Sequence, residues 1–164
     1  LHAFGTYNIG INRSGKQGEH FDECHPLEML DEFLPKADIV IGALPRTSST
    51  QGLFDYARMQ LISKDALLVN VGRGTMIVTG DLEKLLEEGH FSGVVLDVMD
   101  PEPLPETSPL WTTDRVLLTP HSSGIGFGHE DATEAVIWDI CWENLRHYAA
   151  GEPLTHVVDV AAGY

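Results

Sequence analysis

The chain has 164 residues and carries 10 Lys+Arg against 25 Asp+Glu, a formal net charge of −15 with histidine neutral. That acidity argues against nucleic acid or an anionic membrane surface as the main partner, because phosphate binding needs concentrated positive charge. Hydrophobic residues at 43% and charged residues at 21% supply enough apolar material for a buried core, and no apolar run approaches the ~20 residues of a membrane span, so a soluble globular chain is expected.

Along the chain, short apolar runs rich in β-branched residues alternate with stretches of helical period, the pattern of a parallel sheet covered by helices. Leu1-His2-Ala3-Phe4-Gly5 reads as the last turn of a helix capped by glycine, with neither the basic flank nor the apolar stretch of a signal peptide. Residues 6–12 read as a strand, 27–34 as a short helix, 38–44 as a buried strand and 53–62 as a helix. Residues 66–71 form the next buried strand after a Ser63-Lys64-Asp65 turn, and 81–89 a helix with Gly89 at its end. Strands follow at 92–98 and 115–119, the latter ended by Pro120. A long helix is expected from about Glu130 to Ala150, stopped by Gly151 and Pro153. The fold class is therefore α/β. An α/β domain that opens in mid-helix is unusual, which leads to the expectation that the chain is part of a longer protein.

Three segments carry candidate chemistry. Asn70-Val-Gly-Arg73-Gly places an arginine between two glycines just after a buried strand, the edge at which open parallel sheets bind ligands. Glycine lets a backbone come close, and an arginine fork there suits a carboxylate, although an exposed turn would look the same. Asp97-Val-Met-Asp-Pro-Glu102-Pro-Leu-Pro also leaves a strand at its carboxyl end and holds Glu102 between two prolines. Thr119-Pro-His121 follows the next strand, and His121 is the one histidine of eight so placed. A carboxylate beside a histidine stabilises the protonated ring and prepares it to deliver a proton. Arg73, Glu102 and His121, each after a different strand, are harder to attribute to chance than any one alone.

Other signals are weaker. Gly124-Ile-Gly-Phe-Gly128 has the spacing GxGxG, with His129 where a dinucleotide fingerprint needs glycine, and reads as a turn. His20, Cys24 and His25 lie in what reads as loop, with no fourth ligand, so no metal site is expected. Cys24 and Cys141 stand outside any CxxC and read as free thiols of a reducing compartment, which points to the cytoplasm. Trp111, Trp138 and Trp142 read as packing residues. At the end of the first strand, where a doubly wound domain meets the adenosine ribose of its cofactor, Asn12-Arg13-Ser14 has no acid but has an arginine, with Lys16 nearby. An acid there accepts from the 2′-hydroxyl of NAD, while an arginine accommodates a 2′-phosphate, so NADP is favoured over NAD.

These motifs, in this order, resemble the D-2-hydroxyacid dehydrogenase family over essentially the whole chain, through Asn70-Val-Gly-Arg-Gly, Asp97 to Pro105, Ser108-Pro-Leu-Trp111, Thr119-Pro-His121, Glu143-Asn-Leu-Arg and Gly151-Glu-Pro-Leu154. Glu102 to Trp111, with Arg13-Ser14, looks most like the glyoxylate/hydroxypyruvate reductase branch. The resemblance implies a Rossmann-like doubly wound parallel sheet, with 1–125 an incomplete dinucleotide-binding domain and 126–164 a long helix and tail that pack on a substrate domain. It implies that His121 protonates the substrate carbonyl, that Glu102 pairs with it and that Arg73 holds a small 2-oxoacid. Cofactor contacts are implied for Asn12, Arg13 and Ser14 at the ribose, for Leu44, Pro45, Val71, Gly72 and Arg73, for Asp97 near the nicotinamide, and for His121 and Gly124. The family's first, central strand and glycine-rich loop are expected to be absent, leaving apolar edges and faces exposed and the chain alone a poor cofactor binder without turnover. A homodimer is expected through the helix at 130–150. The same fold also serves in NAD(H)-sensing corepressors, a binding function that the Arg73, Glu102 and His121 set does not exclude.

Overall fold

A computed structural model describes residues 1–124 and 131–160. The chain opens on a single 3₁₀ turn, His2–Phe4, closed by Gly5 at φ 74° with its N–H donating to the His2 carbonyl. This is the glycine-capped turn expected from sequence, in its tighter form. Six strands follow, β1 (Ile9–Asn12), β2 (Glu23–Pro26), β3 (Ile39–Gly42), β4 (Leu67–Asn70), β5 (Gly93–Leu96) and β6 (Val116–Leu118), with helices α1 (Leu30–Phe33), α2 (Tyr56–Met59), α3 (Thr79–Glu87) and α4 (Asp131–Ala150).

Strands β3-β4-β5-β6 form a four-stranded sheet in that order, and β1 and β2 form a two-stranded one. Every pairing is parallel, with Ile39 opposite Leu67, Leu67 opposite Gly93, and Val94 opposite Val116. Because the order follows the chain and the strands are parallel, the loops after β3, β4, β5 and β6 all leave from one edge of the sheet. That edge is where the candidate residues stand.

Several elements differ from expectation. Glu23-Cys24-His25-Pro26, read as loop, is strand β2, because parallel pairing with β1 supplies backbone partners that its composition does not advertise. The helix expected over 27–34 is an α-helical turn between 3₁₀ turns at Leu27–Met29 and Leu34–Lys36, and Pro35, with no N–H to donate, ends any α-helical continuation. The helix expected over 53–62 shrinks to α2. Phe54 instead bridges to Ile77, with its N–H donating to the Met76 carbonyl, and Asp55 caps the helix by accepting from the Arg58 N–H. Backbone groups that pair with a distant segment are lost to the helix.

The core lies on one face of the four-stranded sheet, where Leu68 meets Met59, Ile62, Met76, Leu82, Leu85 and Val94, all 1% exposed or less. Strand β3, expected to be buried on both faces, is not: Ile39 and Ile41 are 42% and 43% exposed while Val40 is buried, and Leu67 and Leu117 share the uncovered face. A cleft of about 310 Å³ opens between β1 and β3, lined along both strands and floored by Leu30, Leu34 and Phe54. Exposed apolar edges and faces were the expectation.

Helix α4 ends as expected at Gly151, at φ 69° with its N–H donating to the Tyr148 carbonyl. The tryptophans do not pack inside the chain: Trp111, Trp138 and Trp142 are all more than half exposed. The expected helix start at Glu130, the turn residues Ile125 to Gly128 and the 125/126 domain boundary lie outside the described residues. Among the described residues, no helix is long and apolar enough to cross a membrane.

Candidate functional site

Strand β4 ends at Asn70, whose side chain is fully buried. Its Oδ1 accepts from the Gly72 N–H at 3.1 Å and its Nδ2 donates to the Arg73 carbonyl at 3.1 Å, so one amide ties the loop at both ends. A Cβ on Gly72 would stand 2.8 Å from the Leu44 carbonyl oxygen, and one on Gly74 would overlap the Met99 carbonyl. The glycines flanking Arg73 are thus required by close packing of this loop on the loops after β3 and β5. Arg73 itself is exposed, with Nη1 donating to the Gly72 carbonyl at 2.8 Å.

Beyond β5, Asp97 is 2% exposed, and its carboxylate accepts from Thr119 Oγ1, Ser122 N–H, Ser123 N–H and Ser123 Oγ at 2.5–2.9 Å. Burial by itself would raise this carboxyl group. The hydrogen bonds from Ser123, Thr119 and Ser122 outweigh burial and hold it well below the usual carboxylate range.

Glu102 lies in the loop after β5 and His121 after β6, and the structure brings them together: Glu102 Oε1 is 2.8 Å from His121 Nδ1. An ionised carboxylate only accepts, so Nδ1 is the donor and Nε2 is left for other chemistry. The His121 backbone sits at φ 53°, and its N–H donates to the Asp97 carbonyl at 2.9 Å. Arg73 and His121 follow β4 and β6, with β5 between those strands.

The remaining candidates are distributed along the same edge and across the cleft. At the end of β1, Asn12 Oδ1 accepts from the Ser14 N–H and hydroxyl, and Nδ2 donates to the Lys16 carbonyl at 2.9 Å. The Asn12 amide therefore shapes the turn that carries Arg13 and Ser14, with Gly15 at φ 67°. After β3, Leu44 packs against the core, and the Pro45 carbonyl accepts from Thr50 Oγ1 at 2.6 Å. Val71 is exposed, Gly72 is buried, and Gly124 is exposed at the end of the first described segment.

The histidines and cysteine near β2 are engaged separately. Cys24 Sγ accepts from the Gly18 N–H, the His25 ring meets the Glu23 carboxylate at 2.9 Å and stacks on Phe33, and the His20 ring lies against His2. Sequence reasoning missed Asn70, Thr119, Ser122 and Ser123 as organisers of the site. A polar residue ending an apolar strand, as Asn70 does, was the available signal.

The chain matches the family model for the D-isomer specific 2-hydroxyacid dehydrogenase NAD binding domain over residues 1–123. It is 33% identical to glyoxylate/hydroxypyruvate reductase A of Photorhabdus laumondii over 153 residues, covering 93% of this chain and 47% of that protein. A D-isomer specific 2-hydroxyacid dehydrogenase from Xanthobacter autotrophicus, solved with NADPH and MES, superposes with a TM-score of 0.81 at 38% identity, covering 95% of this chain and 62% of that one. An NADPH-dependent glyoxylate/hydroxypyruvate reductase from Sinorhizobium meliloti, solved with NADP and sulfate, gives 0.82 at 32% identity, covering 99% of this chain and 50% of that one. The chain spans about half the length of the curated relatives that it matches. With parallel strands in this order and these loops on one edge, the chain belongs to the D-isomer specific 2-hydroxyacid dehydrogenase family, through its NAD binding domain.

Proposed function

We propose that this chain is the cofactor-binding part, carrying the proton donor, of an NADP-preferring reductase of small 2-oxoacids of the glyoxylate or hydroxypyruvate kind. The observation that carries the reading is the 2.8 Å pairing of His121 Nδ1 with Glu102, on the same sheet edge as the Arg73 loop. His121 gives a proton to the carbonyl oxygen from Nε2, and Glu102 accepts from Nδ1 and compensates the charge of the ring. Arg73 takes the substrate carboxylate in its guanidinium fork and steadies the charge that develops on the alkoxide. The nicotinamide nucleotide, when bound, supplies the hydride.

The donor set fits that group. Arg13 and Ser14, presented by the Asn12 turn, stand where a 2′-phosphate is read, and no acid at that turn competes for a 2′-hydroxyl. Leu44, Pro45, Val71 and Gly72 line the path along the sheet edge, and Asp97 and Gly124 stand at its nicotinamide end. In this reading residues 1–125 are an incomplete dinucleotide-binding unit and 126–164 a helix and tail that would pack on a substrate domain. The exposed side chains of Trp138, Trp142 and Leu145 on α4 suit a second copy, hence a homodimer. Two free cysteines suit the cytoplasm.

Thermal unfolding of the chain with NADPH or NADH tests the cofactor reading, because a ligand of the folded form raises the melting temperature by mass action. A larger shift with NADPH, abolished in Arg13→Ala, is the expected result. Equal shifts with both nucleotides would overturn the preference. The chain alone is expected to bind weakly and to reduce no hydroxypyruvate.

A further inference from the structure

We infer that Asp97 is a positioning residue for His121, holding the 119–123 loop through both its backbone and its carboxylate and so setting where the imidazole presents Nε2. The inference rests on the reading of His121 as proton donor and adds to it a second carboxylate that acts through the loop.

Three successive amides reach this one residue: His121 N–H, shared between its carbonyl at 2.9 Å and that of Thr119 at 3.0 Å, Ser122 N–H on Oδ1 at 2.9 Å and Ser123 N–H on Oδ2 at 2.9 Å. The Thr119 and Ser123 hydroxyls complete the set, so each carboxylate oxygen receives two donors. Alternation of backbone hand is one way to aim successive N–H groups at one anion, and His121 supplies the left-handed residue, at φ 53°. That conformation is disfavoured for a residue with a Cβ and persists only where its surroundings over-determine it. The supporting charge is buried and ionised, its carboxyl being held far below the usual range.

Glu102 cannot place the ring by itself. Its side chain and that of His121 are 37% and 45% exposed, and an ion pair so open to water holds its partners weakly. Glu102 therefore selects which ring nitrogen carries the proton, while Asp97 brings the ring to Glu102. An amide at position 97 fails at this task, because its NH₂ group would face donors.

The test uses the whole ¹⁵N-labelled chain at pH 8. In the wild type the His121 ring is expected as the Nδ1–H tautomer. In Asp97→Asn its nitrogen shifts move to those of an unstructured histidine peptide, and the Ser122 and Ser123 amides exchange about tenfold faster or more, while Leu68 and Val94 in β4 and β5 keep their protection. A folded Asp97→Asn with wild-type tautomer and wild-type loop protection overturns the inference. If Asp97→Asn does not fold, the double variant Thr119→Val, Ser123→Ala carries the test, since it removes two donors and leaves the charge. Partial loss of the Nδ1–H tautomer then supports the inference, and no change overturns it. Glu102→Ala, which removes the acceptor altogether, separates the underlying reading: if it leaves the His121 tautomer unaltered, the histidine–carboxylate pair falls, and the proton-donor reading with it, whatever Asp97→Asn does.

Discussion

The carboxyl edge of the four-stranded sheet and the β1–β2 pair use the same parallel ladder, yet they differ in how fully each part is determined. Along β4, β5 and β6 the loops are locked by buried groups that are all satisfied: Asn70 ties the Arg73 loop, Asp97 ties the His121 loop, and a core of fully buried Leu, Ile and Met side chains lies beneath them. Strands β1 and β3 instead share an apolar cleft, and Ile39 and Ile41 face water. The difference is one of neighbours. Asn70 and Asp97 supply buried side-chain bonds to the loops after β4 and β6, whereas the facing edges of β1 and β3 are not paired with each other. The proton-handling residues stand on the determined side, and the ribose turn stands on the other.

Substitutions should expose this asymmetry, the largest effects falling on the packed side. Leu82→Ala, at a position 0% exposed under the sheet, should cost about 2–5 kcal/mol by urea denaturation, whereas Ile41→Ala on the open face should cost no more than about 1 kcal/mol. Equal losses would erase the distinction between the two faces. Gly74→Ala comes next, at about 1–3 kcal/mol, because its Cβ would meet the Met99 backbone and not a flexible side chain. Circular dichroism melts would detect this loss without any ligand.

Acid sharpens the comparison through Asp97. Its folded-state carboxyl is held below the ordinary range, so it contributes stability that is present above the unfolded value of ~3.9 and is lost as pH falls through the folded one. The wild type should therefore melt above Asp97→Asn at pH 7, with the gap narrowing below about pH 4. A gap independent of pH would remove the charge from the account of the His121 loop. The smallest effect is expected where the two regions touch. Arg58 meets the Asp31 carboxylate at 2.6 Å and donates to the Leu53 carbonyl at 2.8 Å, linking α1 to the segment before α2. Its side chain is 32% exposed, so Asp31→Asn should cost about 0.2–1 kcal/mol, less in high salt.

Much of the site is legible in the amino-acid sequence. Arg73, Glu102 and His121 can be placed because each follows an apolar strand, and parallel order sends all such loops to one edge. Strand β2 is not legible, because Glu-Cys-His-Pro has no period-2 apolar pattern and exists as a strand through its pairing with β1. The length of α2 is not legible either, since the bridge from Phe54 to Ile77 draws on residues far apart in the chain. Trp138 and Trp142 show the opposite limit: their type advertises burial, but nothing within the described chain covers them.

What the sequence determined by itself was the α/β alternation, the family and the residue types at the carboxyl edge, because hydrophobic period and turn chemistry are local properties of consecutive residues. Which polar groups meet was settled by long-range packing. The four donors on Asp97 come from residues 22–26 positions away, the Glu102–His121 pair spans 19, and the sheet splits at the cleft between β1 and β3. Contacts of that range depend on how strands stack side by side, and no local pattern encodes it.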